Sequence, residues 1–183
     1  DSLEVSSENI PSSLKTETSL KLTGEWDTYA FSQLKNALGT NGFGGSNTSL
    51  TKLDLSSTQI AENTSLYVIA GFTSNGAFMN CKALTEVVMP TAEEAAQFTS
   101  FQGAFQNCDK LTTIDLSGCT NVTTFNNAFY GCASLTQADL KNNVAATKTS
   151  SWSSAFEGCS SLAQVSLPAG FCLLYTSPSP RDL

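Results

Sequence analysis

The chain has 183 residues, of which 40% are apolar, and its 9 basic and 16 acidic side chains give a formal net charge of −7. That charge argues against nucleic acid or an anionic membrane as a partner, and no apolar run is long enough for insertion into a membrane. Histidine is absent, which excludes Ser-His and Cys-His catalysis within this chain.

The first 49 residues differ from the rest and are expected to form an N-terminal cap. Leu-Lys-Leu-Thr-Gly at 20–24 predicts a strand and a turn. Residues 25–38 predict an amphipathic helix that ends at Gly39, followed by a Gly-rich loop at 41–46. The apolar stripe of that helix would comprise Trp26, Tyr29 or Ala30, Leu34 and Leu38.

From residue 77 onward, one phrase recurs four times. It reads Ala-Phe-x-x-Cys-x-x-Leu-x-x-apolar-x-apolar, and its phenylalanines follow one another at intervals of 27, 24 and 27 residues. An earlier partial copy lies at 50–55, whereas residues 60–76 fit the pattern poorly. A period in the twenties that preserves the apolar positions is typical of a stacked repeat architecture.

The end of each phrase alternates apolar and polar residues, which predicts a short strand with one buried face. Successive strands would pair in parallel about 4.8 Å apart. One coil cannot bury its own apolar residues, but neighbouring coils complete a continuous core. We therefore predict a solenoid of about five coils over residues 50–171.

The apolar residues before each strand predict two aromatic columns. One column contains the repeated Phe105, Phe129 and Phe156, and the other contains Phe101, Phe125 and Trp152, which lie four residues earlier. The repeated alanine would let a helical or 3₁₀ turn approach the strands closely. Residues 121–125 are expected to add a second short strand on the opposite wall.

These units resemble the BspA-like leucine-rich repeats of bacterial surface proteins, over residues 20–171 and most closely over 77–167. The resemblance implies an α/β-type repeat solenoid with a short parallel β-sheet on its concave face. It also implies short helical or 3₁₀ turns and extended segments on the other walls, and an N-terminal helical cap. An extracellular or cell-surface location is implied too, with binding to proteins of a host or of neighbouring cells.

The C-terminal segment is set apart from the fold. Residues 172–182 look like the conceptual translation of a transposase sequencing adapter, and Arg181 within them is the only arginine of the chain. We interpret 172–183 as an adapter-derived artefact and expect the gene to continue past Phe171. The alternative is a Pro-rich linker.

One cysteine per repeat, namely Cys81, Cys108, Cys132 and Cys159, predicts an internal column. A straight column does not supply the tetrahedral convergence that zinc needs, and parallel Cβ vectors disfavour disulfides. We therefore interpret these residues as buried free thiols that fill space as small apolar side chains. Cys119 is expected in a turn or in the core.

The outward strand positions form the predicted binding face. Asp115 and Asp139 are expected to be stacked neighbours with Glu86 nearby, and adjacent carboxylates repel unless a cation lies between them. A calcium site or a groove for a basic peptide is one interpretation, and a solvated acidic stripe is the one we favour. The predicted face comprises Thr51, Lys52, Asp54, Thr85, Glu86, Val88, Thr112, Thr113, Asp115, Thr136, Gln137, Asp139, Ala163, Gln164 and Ser166.

The leading functional hypothesis is a secreted or cell-surface, adhesin-like module that binds a protein partner through its concave β-face. The alternative is a non-catalytic spacer or accessory module of a larger surface enzyme or anchored protein. We expect no enzymatic activity and no cofactor, because a regular strand ladder offers no deep pocket for a pair of catalytic carboxylates.

Overall fold

The structure is a computed structural model that describes residues 1–39, 47–70 and 73–169. The loop predicted at 41–46 and the segment 172–183 lie outside the described residues. The strands are β1 (Leu3–Ser6), β2 (Ser19–Trp26), β3 (Lys52–Ile60), β4 (Thr64–Ser65), β5 (Tyr67–Ala70), β6 (Thr73–Gly76), β7 (Glu86–Val88), β8 (Phe98–Ser100), β9 (Gln137–Asp139) and β10 (Gln164–Ser166). The helices are α1 (Thr28–Leu38) and α2 (Ala92–Ala95), and Thr149–Trp152 is a 3₁₀ helix.

The strands that end the repeats pair in parallel, as predicted. A four-stranded sheet has the order β1-β2-β3-β7, and β9 pairs with β10 in a second sheet. Residues 111–116 occupy the equivalent place between the two sheets without being a regular strand. They still accept a backbone hydrogen bond from the next repeat, because Thr136 N donates to Thr112 O at 3.1 Å.

The N-terminal residues continue the same sheet. Leu3 of β1 pairs with Leu20 of β2, and Leu20 pairs in turn with Leu53 of β3, the strand of the partial copy at 50–55. The strand β1 was not predicted, although its buried Val5 between exposed Glu4 and half-buried Ser6 follows the alternation of a strand. Two strands of the predicted cap therefore extend the parallel ladder of the repeats.

Helix α1 begins three residues later than predicted, because Glu25 and Trp26 complete strand β2. Asp27 caps its first turn, where Ala30 N donates to Asp27 Oδ1 at 2.8 Å. The predicted end is confirmed, since Gly39 adopts a left-handed φ of 72°. Of the two alternatives for the apolar stripe, Ala30 is buried and Tyr29 is 71% exposed.

The segments around the repeated phenylalanine are successive hydrogen-bonded turns in which alternate N–H groups donate three residues back, in agreement with the predicted helical or 3₁₀ turn, and Thr149–Trp152 is a regular 3₁₀ helix. Their N–H groups alternate between two kinds of partner. Ala104 N donates within its own turn to Phe101 O at 2.9 Å, and Phe105 N donates to Ala128 O of the next repeat at 2.9 Å. The turns thus form a second ladder of hydrogen bonds between repeats.

The residue before each repeated cysteine is held in the left-handed region. Its φ is 66° at Asn80, 59° at Asn107, 73° at Gly131 and 78° at Gly158. Asparagine and glycine adopt this conformation more readily than other residues. The backbone conformation therefore explains why asparagine occupies this position in the first two copies and glycine in the last two.

Both predicted aromatic columns are present and buried. In the first, the ring centroids are 5.6 Å apart for Phe78 and Phe105, 5.9 Å for Phe105 and Phe129, and 5.6 Å for Phe129 and Phe156. In the second, the centroids of Phe101 and Phe125 are 5.6 Å apart in an edge contact, and those of Phe125 and Trp152 are 4.4 Å apart and stacked. The columns run through the core between the strands and the turns.

The poorly fitting stretch at 60–76 contains an antiparallel hairpin, formed by β5 and β6. Before it, β4 pairs in parallel with β8 on a wall separate from the main sheet. The predicted second strand at 121–125 is not a regular strand, but it joins that wall through a parallel bridge between Ser100 and Thr124. This part of the chain thus departs from the repeat pattern by an insertion that packs beside α1.

Candidate binding face

The structure exposes the predicted outward positions to different degrees. We call this surface the strand face. Lys52, Asp54 and Val88 are half-buried. The exposed members are Thr51, Thr85, Glu86, Thr112, Thr113, Asp115, Thr136, Gln137, Asp139, Ala163, Gln164 and Ser166.

A threonine ladder runs along the strand face. Thr85 donates twice to Thr51 O of the preceding repeat, from its N at 2.9 Å and from its Oγ1 at 3.0 Å. Thr51 does the same to Thr18 O, and Thr136 to Thr112 O. These hydroxyl groups tie neighbouring repeats together, so they are only partly available to a partner.

The aspartates of the strand face each accept a hydrogen bond from the backbone two residues later. Ser56 N donates to Asp54 Oδ1 at 2.9 Å, Ser117 N to Asp115 Oδ1 at 2.9 Å and Lys141 N to Asp139 Oδ1 at 3.2 Å. An aspartate that accepts from the backbone two residues later forms a local turn. The equivalent positions Val88 and Ser166 have no carboxylate, and a proline stands two residues after each, at 90 and 168.

Those hydrogen bonds influence the acidity of two carboxyl groups. For Asp54, partial burial raises the pKa, but the hydrogen bonds from Ser56 and the charges of Lys52 and Lys21 more than offset it, so the pKa lies below its ordinary value. For Asp139, the hydrogen bond from Lys141 N is the main cause of a lowered pKa. Both groups are therefore carboxylates at neutral pH.

Lysines pair with several acidic residues of the strand face. Lys52 Nζ lies 3.2 Å from Glu86 Oε1, and Lys141 Nζ lies 3.2 Å from Asp139 Oδ2. Lys21 Nζ forms a similar pair with Glu4 Oε1 at 3.2 Å. The predicted acidic stripe is thus interrupted by cations of the chain itself, and exposed pairs of this kind contribute little to stability.

The described residues contain no group of three or more His, Cys, Asp or Glu that could hold a metal ion. The calcium interpretation depended on Asp115, Asp139 and Glu86 acting together. The structure gives each of them a separate partner, which is Ser117 N, Lys141 or Lys52 respectively. The strand face therefore offers calcium no assembled set of oxygen ligands.

The cysteine column consists of free, buried thiols, as predicted. Each later thiol donates to the phenylalanine carbonyl of the preceding repeat. The Sγ–O distances are 3.3 Å from Cys108 to Phe78, 3.1 Å from Cys132 to Phe105 and 3.0 Å from Cys159 to Phe129. Burial raises the pKa of Cys81 to about 12 and that of Cys159 to about 11, which keeps both protonated and poorly nucleophilic.

A model of the BspA type leucine rich repeat region matches residues 46–175 in six copies. The chain belongs to this family. No curated protein and no solved structure matches it. In the part of the chain that the structure describes, no helix is long and apolar enough to cross a membrane.

A buried lysine that the sequence reasoning missed bonds to the last residue of the β5–β6 hairpin, directly before the first full copy of the phrase. Lys35 of α1 is fully buried, and its Nζ donates to Gly76 O at 2.8 Å. Burial lowers the pKa of Lys35 to about 8, although the nearby Cys81 and Cys108 act in the opposite direction. The signal was its spacing, because Lys35 lies four residues after Phe31 and three before Leu38, on the buried stripe.

A buried asparagine adds another link between the BspA-type repeats. Asn143 Nδ2 donates to Leu116 O at 3.1 Å and to Cys119 O at 3.0 Å in the preceding repeat. Cys119, expected in a turn or in the core, is buried at the equivalent position. Both residues follow the last leucine of the repeated phrase, Leu116 or Leu140, by three positions, so repeat alignment could have identified the site.

Proposed function

We propose that the chain is a secreted or cell-surface protein-binding module. In this proposal the repeats form a solenoid, and the strand face is its concave side. Adhesion to proteins of a host or of neighbouring cells would be its role. Membership of the BspA-type family supports the proposal, because this repeat is often part of modules for interactions at cell surfaces.

The observation that carries the proposal is the fixed register of half-buried and exposed side chains on the strand face. Ser19, Lys52 and Glu86 lie side by side in one row across β2, β3 and β7, and Gln137 pairs with Gln164 across β9 and β10. The backbone bonds between repeats hold these rows in place. A rigid surface loses little conformational entropy when it binds a partner.

Binding would be distributed over several repeats. Gln137, Gln164 and Ser166 are exposed, and no side-chain hydrogen bond within the described chain engages them. They can therefore meet a partner without breaking the ladder. Each exposed residue of the strand face would contribute one modest contact. A single substitution on this face, such as Asp115→Ala, is therefore expected to weaken binding only slightly, and complete loss of binding would contradict the distributed model.

A spacer or accessory role in a larger surface protein is the second candidate. This role is favoured because polar groups of the strand face form hydrogen bonds within the chain. They are the hydroxyl groups of Thr51, Thr85 and Thr136 and the carboxylate of Asp54. A spacer needs a stable ladder and no partner. The two candidates therefore differ in whether the uncommitted side chains are recognised.

The test uses the full chain against an array of purified extracellular proteins, with affinities measured by biolayer interferometry. The double variant Gln137→Arg/Gln164→Arg places two bulky cations on the strand face. Thr147→Arg, at an exposed position outside the strands, is the control. We expect at least one protein of the array to bind the wild type and Thr147→Arg equally well and the double variant more weakly. Equal affinity of that protein for the wild type, the double variant and the control would show that the strand face is not the binding site.

A further inference from the structure

A different surface, formed by α1 and β5, exposes large apolar side chains. Tyr29 is 71% exposed, Ile69 is 72% exposed and Tyr67 is 37% exposed. Among the described residues, only two other large hydrophobic side chains are exposed, Leu3 and Val144. We call Tyr29, Tyr67 and Ile69 the aromatic patch.

One hydrogen bond joins the two segments that carry the aromatic patch. Ser65 N donates to Thr28 Oγ1 at 2.9 Å. Thr28 directly precedes Tyr29, and Ser65 lies two residues before Tyr67. Val68 is buried between Tyr67 and Ile69, and since successive side chains of a strand point to opposite faces, both of its neighbours point outward.

The rim of the aromatic patch is acidic. Glu25, Asp27 and Glu62 are all exposed. Glu62 lies close to Asp27 because Ala61 N donates to Trp26 O at 2.9 Å. Residues 22–34 and 53–70, which contain the patch and its rim, include no lysine or arginine. None of the three carboxylates forms an ion pair with another described residue, unlike Glu86 and Asp139 of the strand face.

We propose that the aromatic patch docks a cationic, amphipathic segment of a partner protein. Lysine or arginine side chains of that segment lie over Glu25, Asp27 and Glu62, and its apolar side chains pack against Tyr67 and Ile69. A tyrosine ring also attracts a cation over its face. An anionic membrane is disfavoured because the rim would repel it. The surface is separate from the strand face, so the chain would have two binding sites.

The experiment measures fluorescence anisotropy of a short labelled peptide of alternating lysine and leucine, titrated with the full chain at low salt. Glu25→Gln/Glu62→Gln is expected to weaken binding about two- to five-fold for each charge removed. Asp109→Asn/Glu157→Gln removes the same net charge from turns of later repeats and is expected to leave the affinity nearly unchanged.

The apolar half of the proposal has its own pair of variants. Tyr67→Ser and Ile69→Ser each replace an exposed side chain, and both are expected to weaken binding about three-fold or more through lost apolar contact. Val144→Ser, at a position 58% exposed, is the matched control. Thermal melts check that every variant remains folded.

Four results would overturn the proposal. They are no saturable binding of the lysine–leucine peptide, equal weakening by the two pairs of charge variants, no effect of Tyr67→Ser or Ile69→Ser, and equal affinity for a peptide with glutamine in place of lysine. Absence of saturable binding would show that the patch is not a binding site, and equal weakening by both charge pairs would show that only net charge matters. The other two results would show that apolar contact or the cations of the peptide do not contribute to binding.

Discussion

Replacing Lys35 by methionine should remove a rise in stability with pH. The side chain is fully buried and its pKa is lowered to about 8 from an ordinary 10.5. Between these two values the unfolded chain binds a proton that the folded chain has released. Since stability rises with pH wherever the unfolded state binds more protons, the wild-type chain gains stability as the pH rises through 8.

The size of the effect follows from the pKa difference. Each unit corresponds to about 1.4 kcal/mol, so the shift of Lys35 corresponds to about 3 kcal/mol over the whole titration. Between about pH 7 and about pH 9, Lys35 loses its proton in the folded chain but keeps it in the unfolded chain. Over that interval the free energy of unfolding of the wild type should rise by about 1.4 kcal/mol relative to that of Lys35→Met. Methionine has a similar length and does not titrate, so it supplies the reference.

The measurement is urea unfolding of both proteins at several pH values across that interval. Burial raises the pKa of the Cys81 thiol to about 12, so the cysteines also make stability depend on pH, but they are present in both proteins and largely cancel in the difference. Lys82→Met, at an exposed lysine, controls for the loss of one positive charge. A free-energy difference between wild type and Lys35→Met that stays constant from pH 7 to 9 would refute the reasoning.

Three other substitutions test the links between repeats, all by urea unfolding. Phe129→Ala removes a ring stacked on both sides and should cost about 3–5 kcal/mol, while Tyr29→Ala at an exposed position should stay within about 0.5 kcal/mol. Thr85→Val removes one ladder hydroxyl and should cost about 1 kcal/mol, and an equal loss from Thr113→Val would contradict the ladder. Asn107→Ala should cost about 1–2 kcal/mol through its left-handed φ of 59°, and Asn107→Gly should recover most of that loss.

Repetition explains why so much of the core was predictable. Phe105, Phe129 and Phe156 each recur at the same place in the phrase, so one inference about a phenylalanine applied to all of them, and their stacking is confirmed. The same holds for the column of Cys108, Cys132 and Cys159. Stacked repeats place equivalent residues next to each other, so sequence period alone determines these contacts.

Features that occur once, or that depend on backbone conformation, were less predictable. The hairpin at β5 and β6 interrupts the repeat, and no second copy indicated its pairing. A helical or 3₁₀ turn was predicted around Phe105, but the sequence did not indicate that every second N–H group of the turn donates to the next repeat. The same turns contain a residue with positive φ before each repeated cysteine, such as Asn107. In the sequence this requirement is visible only because that position is always asparagine or glycine.

The strand face combines two demands that the sequence alone could not separate. A threonine or aspartate at an outward position was interpreted as free for a partner, but the Thr85 hydroxyl bonds to Thr51 O and the Asp115 carboxylate bonds to Ser117 N. Gln137 and Gln164 form no such side-chain bonds, so substituting them should remove no hydrogen bond between repeats. If the proposed binding role is right, specificity for the partner should reside at these positions, since the threonines and aspartates beside them bond to the chain itself.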